Sequence, residues 1–303
     1  MKRSVALLVT AFLTVPLLDG TAQGTFPGSN GRIAFYDFNA FFGPRGKTSQ
    51  IYSMEPDGSD VRRLTSTTRR HKTDPAWSPD GARIAFAASR KTDPGRGRVV
   101  VMDADGQNRQ VIVALAGDRY VFDPAWSPDG TQIAFCVTRG RNKRIWVVGA
   151  DGSNLTRLTP TGRKACYPDW SPDGTRIAFT LQTSRTRSAI ATMAPDGSDR
   201  ELVVPRGTNI WPSWSPDGAM IAFARADDVF IVDVATGSRT RVTNTPRRFE
   251  FQPIFSPDGL QVAFTRAKSH PADIWIADVN GSNKTRVTDT PSKDEFQLSW
   301  QAV

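Results

Sequence analysis

The sequence predicts an all-β chain folded as a six-bladed β-propeller of four-stranded antiparallel blades, and three observations carry that prediction. The first is a phrase that returns through the chain. Trp77-Ser78-Pro79-Asp80-Gly81 recurs at Trp126–Gly130, Trp170–Gly174 and Trp214–Gly218, and with one change at Phe255–Gly259. The second is its period: the five glycines stand 49, 44, 44 and 41 residues apart, and four-stranded propeller blades run to roughly 40–50 residues. The third is the pair of chain ends. Asn30 to Phe35 reads as a second strand without a first, and Phe296 to Trp300 as a first strand without a second. Joined, they make one more blade, so six first strands and six second strands close a ring. Closure leaves only short, protected sheet edges.

The elements follow in chain order. Met1-Lys2-Arg3, the apolar run Val5–Leu18 and the small residues Gly20-Thr21-Ala22 have the pattern of a secretory signal peptide over residues 1–24. Cleavage is expected after Ala22 or Gly24. The run is shorter than the ~20 apolar residues of a membrane span, so no integral span is expected after cleavage. Residues 25–303 then form the propeller. In each repeat an apolar strand follows the phrase: Ile84-Ala85-Phe86, Ile133-Ala134-Phe135, Ile177-Ala178-Phe179, Ile221-Ala222-Phe223 and Val262-Ala263-Phe264. Pro presets φ at the first turn position, Asp suits the second, and Gly accepts the left-handed conformation that closes the hairpin. The repeat that starts at Asp123 shows all four strands A to D: Pro124–Trp126, Gln132–Val137, Arg144–Val148 and Leu155–Thr159. A second hairpin turn joins C to D at Asp151-Gly152, with counterparts at Asp57-Gly58, Asp105-Gly106, Asp196-Gly197, Thr236-Gly237 and Asn280-Gly281. Trp77, Trp126, Trp170, Trp214, Trp300 and Phe255 are expected to pack between blades. Cys136 ends a B strand and Cys166 precedes the next A strand, so a disulfide and two buried thiols both remain open.

The W-S-P-D-G phrase followed by an I-A-F strand resembles the WD40-like repeats of the TolB-type β-propeller (PD40) family, whose relatives include the propellers of prolyl oligopeptidases and tricorn-type proteases. The resemblance runs from about Asn30 to Val303. It implies the propeller fold and says little of function, because one fold hosts many activities. Full TolB proteins carry an additional α/β domain before the propeller; here a leader alone is expected ahead of the first blade.

Charge adds a functional direction. Formal net charge is +9 with a pI of about 9.9. The A–B and C–D turns share one face, which collects acids such as Asp57, Asp80, Asp105 and Asp151. The preference of turns for Asp accounts for these. The B–C and D–A loops share the opposite face and collect bases. The D–A loops hold Arg69, Arg70, His71, Lys72, Arg119, Arg163, Lys164, Arg206, Arg247, Arg248 and Lys293. The B–C loops hold Arg45, Lys47, Arg90, Lys91, Arg96, Arg139, Arg141, Lys143, Arg185, Arg187, Arg225, Arg266 and Lys268. A face of one sign attracts anions. Aromatics stand among these bases: Tyr120, Phe122, Tyr167, Trp211, Phe249 and Phe251 near the A strands, and Phe38, Phe41 and Phe42 in the first B–C loop. The A-strand group is expected to pack between blades. Asp74, Asp123, Glu250 and Glu295, just ahead of or within A strands, are expected to pair with neighbouring arginines rather than hold a cation.

Enzyme chemistry has little support in the sequence. The only histidines are His71 and His270, too few for a histidine-based metal site. Asp103–Gly106 lacks the rest of a calcium loop and reads as a turn. There is no G-x-S-x-G and no phosphate loop before a helix. No cofactor, metal or catalytic residue is expected. The resulting expectation is an exported, monomeric, non-enzymatic module that binds a protein or peptide partner, an acidic one among the candidates, through the basic face around the channel mouth. Partner-binding candidates are Arg69, Arg70, His71, Lys72, Arg119, Tyr120, Arg163, Lys164, Arg206, Trp211, Arg247, Arg248 and Phe249. The alternatives are a binder of anionic polysaccharide, and an envelope hydrolase or lyase with carboxylates at the channel mouth.

Overall fold

A computed structural model describes residues 26–38, 48–90, 95–268, 271–290 and 294–303. The signal peptide expected over residues 1–24 lies outside the described residues. So do Phe41, Phe42, Arg45, Lys47, Lys91, His270 and Lys293. The described residues form 24 strands in six four-stranded antiparallel sheets and no helix. Blade 1 combines β1 (Asn30–Phe38), β2 (Ile51–Met54) and β3 (Arg62–Arg63) with the last strand. Blade 2 is β4 (Arg70–Trp77), β5 (Arg83–Arg90), β6 (Arg98–Asp103) and β7 (Gln110–Ala114). Blade 3 is β8 (Tyr120–Trp126), β9 (Gln132–Arg139), β10 (Asn142–Gly149) and β11 (Thr156–Arg157). Blade 4 is β12 (Ala165–Trp170), β13 (Ile177–Gln182), β14 (Ser188–Met193) and β15 (Glu201–Val204). Blade 5 is β16 (Asn209–Trp214), β17 (Met220–Arg225), β18 (Asp228–Asp233) and β19 (Arg239–Arg241). Blade 6 is β20 (Phe249–Phe255), β21 (Gln261–Ala267), β22 (Ala272–Asp278) and β23 (Thr285–Arg286). The last strand, β24 (Asp294–Ala302), pairs with β1 and completes blade 1. The ring closes as the chain ends predict.

The repeated turn forms as its residue types require. The Gly81 amide donates to the Ser78 carbonyl at 2.9 Å, and Gly81 has φ 63°. The Ser78 hydroxyl accepts from the Arg83 amide at 2.8 Å and donates to Asp80 at 2.5 Å. Asp80 in turn accepts from the Ala82 amide at 3.1 Å. Ser127, Ser171, Ser215 and Ser256 accept the same turn hydrogen bond at 2.9 Å. The acids of this face are therefore tied into their own turns.

The core lies between blades. Trp77, Trp126, Trp170, Trp214, Trp300 and Phe255 are each at most 3% exposed. Trp77 packs with Ile51 and Leu64 of blade 1 as well as Ile84 and Met102 of blade 2. The Trp126 indole donates to Ala76 in blade 2 at 3.1 Å. Cys136 on β9 and Cys166 on β12 form a disulfide with Cα atoms 5.1 Å apart, which fastens blade 3 to blade 4.

Candidate functional site

The A strands β4, β8, β12, β16, β20 and β24 are innermost and line a central channel. Each carries a register irregularity against its B strand. In each, one residue has a left-handed backbone: Asp74 (φ 57°), Asp123 (51°), Tyr167 (59°), Trp211 (55°), Gln252 (55°) and Gln297 (51°). In five of the six the next residue is proline, and in β24 it is Leu298. Proline has no amide to give a ladder and is confined to edges and bulges, while a bulge re-aims a side chain. The six residues thus form one ring around the channel. On its loop-face side the ring floors a mouth of about 720 Å³. On the other side lies a narrower section of about 120 Å³, lined also by Phe26.

Ring and mouth have two halves of different chemistry. On one side the rings of Tyr36, Phe296, Phe251, Trp211 and Tyr167 follow each other at 5.5–6.1 Å between centroids. The Lys143 ammonium stands 5.3 Å over Tyr167. On the other side are Asp74 and Asp123, 4% and 8% exposed. The Asp123 amide donates to Asp74 at 3.3 Å, and the Gln297 side-chain amide donates to Asp123 Oδ1. Asp123 Oδ2 is buried without a hydrogen-bond partner among the described residues. Burial raises both carboxyls: Asp123 rises to about 7, with Gln297 and Lys143 acting against the rise. Asp74 is held well above its ordinary range by burial and then by the charge of Asp123.

Asp74 and Asp123 differ from expectation. Glu250 does pair with Arg266, at 2.6 Å. Glu295 accepts from the hydroxyls of Thr288 and Thr290. Asp74 and Asp123 form no ion pair with an arginine among the described residues, because the bulge turns them into the channel, away from the loops where arginines lie. The expected packing role for the A-strand aromatics holds for Tyr167, Trp211 and Phe251, which pack on one another from neighbouring blades, edge-on at the first pair and tilted at the second. Tyr120 and Phe122 instead stack at 6.2 Å while 36% and 37% exposed, and Phe249 is half exposed.

The predicted bases divide as well. Arg69, Arg163, Arg206, Arg247 and Arg248 are exposed on the loop face, and Arg119 and Lys164 are partly exposed. Arg70 is partly buried between Arg90 and Arg98, and burial with those two charges lowers its pKa. His71 lines the mouth and accepts from the Ser49 amide at 3.3 Å. Lys72 is not a surface base. It is 4% exposed, and its ammonium donates to the carbonyls of Thr67 and Arg70 at 2.8 and 2.7 Å. Sequence reasoning missed Tyr36, Gln252, Gln297 and Phe26. The column three residues before the A-strand Trp or Phe marked Gln252 and Gln297, but nothing marked Tyr36 or Phe26.

A family model for the TolB β-propeller domain (PD40) matches residues 66–229. Among solved structures, TolB from Acinetobacter baumannii superposes with a TM-score of 0.73 at 22% identity, covering 90% of this chain and 67% of that one. Hydrazine synthase from Kuenenia stuttgartiensis gives a TM-score of 0.73 at 14% identity, covering 96% and 50%. An oligogalacturonate lyase from Vibrio parahaemolyticus gives 0.58 at 16%, covering 76% and 72%. Such low identities speak for the fold alone.

Proposed function

The chain belongs to the TolB β-propeller family, and from that premise we propose that it is an exported, monomeric, non-enzymatic propeller that binds a protein or peptide partner at its channel mouth. The observation that carries this reading is the concentric build of the loop face. Exposed Arg69, Arg163, Arg206, Arg247 and Arg248 stand around a mouth lined by Tyr36, Tyr120, Phe122, Tyr167 and Trp211. Rigid aromatic surface supplies contact area, and surrounding charge steers encounter. Export agrees with the Cys136–Cys166 disulfide, since such bonds persist in oxidising compartments. No helix of the described residues is long and apolar enough to cross a membrane.

The test is a salt series of binding to polyglutamate, heparin and an envelope extract. Exposed charges are screened over about 8 Å at physiological ionic strength. Replacing Arg69, Arg163 and Arg206 with Ser is expected to slow association about tenfold at low salt, with little change in dissociation. Replacing Arg157, Arg239 and Lys284, which sit at exposed positions in or beside the outer strands, changes net charge equally and is the control. Equal association by all three proteins counts against the loop face as the site. Preference for heparin over polyglutamate favours the polysaccharide alternative.

One observation favours a second reading, a hydrolase or lyase. Two neighbouring buried carboxyls with raised pKa values are suited to hold one proton near neutral pH and serve as acid and base. Turnover of a sugar or peptide panel that disappears in Asp123→Asn would select it.

A further inference from the structure

We propose that Asp74 and Asp123 form a receptor for one organic cation, the ammonium or guanidinium of a basic side chain carried on a peptide whose flanking residues are acidic. This rests on the binding reading above and names the chemistry of the partner. Asp123 Oδ2 is buried in the wall of the mouth without a partner among the described residues, and Asp123 is 8% exposed. Among the described residues Asp74 accepts only from neutral donors, the Asp123 amide at 3.3 Å and the Thr73 hydroxyl at 3.1 Å. Buried acceptors in folded proteins are nearly always satisfied, and a buried carboxylate needs a counter-charge. The mouth opens to solvent, so that charge can arrive from outside.

The opposite wall fixes the kind of cation. Tyr167 and Trp211 line the same cavity, and aromatic faces attract ammonium and guanidinium groups. Lys143 already places an ammonium over Tyr167, so the wall accepts one. A hard metal ion is a poorer fit. It takes 6–8 oxygen ligands, whereas the aromatic wall offers ring faces, and no group of three or more His, Cys, Asp or Glu stands together among the described residues. The outer rim adds the second requirement. A cation must pass the exposed arginines of the loop face, and a segment with acidic flanks does so favourably. Tyr36 on β1, His71 on β4, Tyr120 on β8, Lys143 on β10 and Tyr167 on β12 are the other titratable groups that face this mouth among the described residues. An arriving cation favours the ionised acids. With Asp123 at about 7, binding therefore releases a proton and tightens from pH 6 to pH 8.

The experiment uses two fluorescein-labelled peptides, Asp-Glu-Lys-Asp-Glu and the same peptide with norleucine at its centre, read by anisotropy at low salt. The wild-type protein is expected to prefer the lysine peptide about tenfold, a difference within the range of one desolvated cation–π and ion-pair contact. Asp123→Asn, which keeps the Oδ1 acceptor, is expected to bind both peptides as the wild type binds the norleucine one. Equal affinity of the wild type for both peptides overturns the proposal, and so does a preference that survives in Asp123→Asn. Calorimetry with N-acetylarginine methylamide in two buffers of different ionisation enthalpy separates the two readings. Heat with proton release in the wild type alone supports the receptor even if neither peptide binds, in which case only the peptide reading falls. Absence of binding heat in the wild type overturns the receptor itself.

Discussion

Asp123 shows how much one residue inherits from its place in the ring. Its left-handed backbone comes from the bulge, its burial from the neighbouring blades, and its raised pKa from that burial. The pH dependence of stability follows with a definite sign. An unfolded Asp releases its proton near pH 4, whereas folded Asp123 keeps its own until about 7. The folded state then binds more protons than the unfolded one, so stability falls as pH rises from about 4 to about 7 and levels off above. Asp74, and Asp169 at about 7, act in the same direction through burial. The thermal midpoint of the wild type is expected to drop by several degrees between pH 5 and pH 8. Asp123→Asn should show a clearly smaller drop, and an unchanged slope would show that Asp123 ionises freely. Asp74 and Asp123 were visible in the sequence as acids ahead of an A-strand tryptophan. Their lack of arginine partners among the described residues was not, because chain distance does not say which way a bulge points a side chain. Tyr36 is harder still: it reaches the mouth from a B strand, through a register that only the closed ring defines.

Among elements, the turns were the most legible and the D strands the least. Pro-Asp-Gly chemistry is local, so every A–B turn forms where it was read. The D strands depend on a threonine. Thr65, Thr159, Thr243 and Thr288 each accept the backbone amide of Ile51, Ile145, Val229 or Ile274 at 2.9 Å. In those blades β3, β11, β19 and β23 span only two or three residues. Blades 2 and 4 have Val113 and Val204 at the matching positions, and there β7 and β15 run to five and four residues. A hydroxyl that satisfies the amide shortens the ladder. Five of the six C–D turn glycines meet the same region of the preceding blade. A Cβ on Gly58 would lie 2.3 Å from the carbonyl oxygen of Val287 in blade 6, whereas one on Gly237 would meet nothing within 4 Å. Both glycines have positive φ, 85° and 70°. Gly237→Ala is therefore expected to cost about 1–2 kcal/mol from backbone strain alone. Gly58→Ala carries the same strain and also pushes blade 1 from blade 6, so its urea midpoint should fall at least twice as far. Equal losses would mean that the blade junction yields without cost.

At the scale of the whole molecule, two fastenings hold the ring, one covalent and one by strand pairing. The disulfide spans 30 residues of chain between blades 3 and 4. The sequence left that bond open, because its geometry is set by how neighbouring blades lean together. Closure was legible, since a first strand without a second and a second without a first have only each other. The structure adds how much β24 touches. It pairs with β1 from Asn30 to Phe38. The Trp300 indole donates to the Gly31 carbonyl at 3.0 Å. Ser299 accepts from the Trp77 amide of blade 2 at 2.9 Å, and Gln301 donates to the Gly81 carbonyl at 2.9 Å. Gln252 donates to Gln297 at 2.6 Å, which ties in blade 6. One terminal strand thus joins three blades and supplies a member of the channel ring. Ending the chain before Asp294 removes buried Trp300 and Leu298 and opens an unpaired edge on β1. Loss of one buried Trp typically costs 3–5 kcal/mol, and a buried Leu 2–5, against total stabilities of about 5–15 kcal/mol. The truncated protein is expected to unfold tens of degrees lower, or to lose its cooperative transition, when followed by circular dichroism. Its exposed β1 edge should also make it aggregate by pairing with other copies, which light scattering reads separately. A monomeric truncated protein with an unchanged midpoint would mean that the other five blades hold the ring without β24.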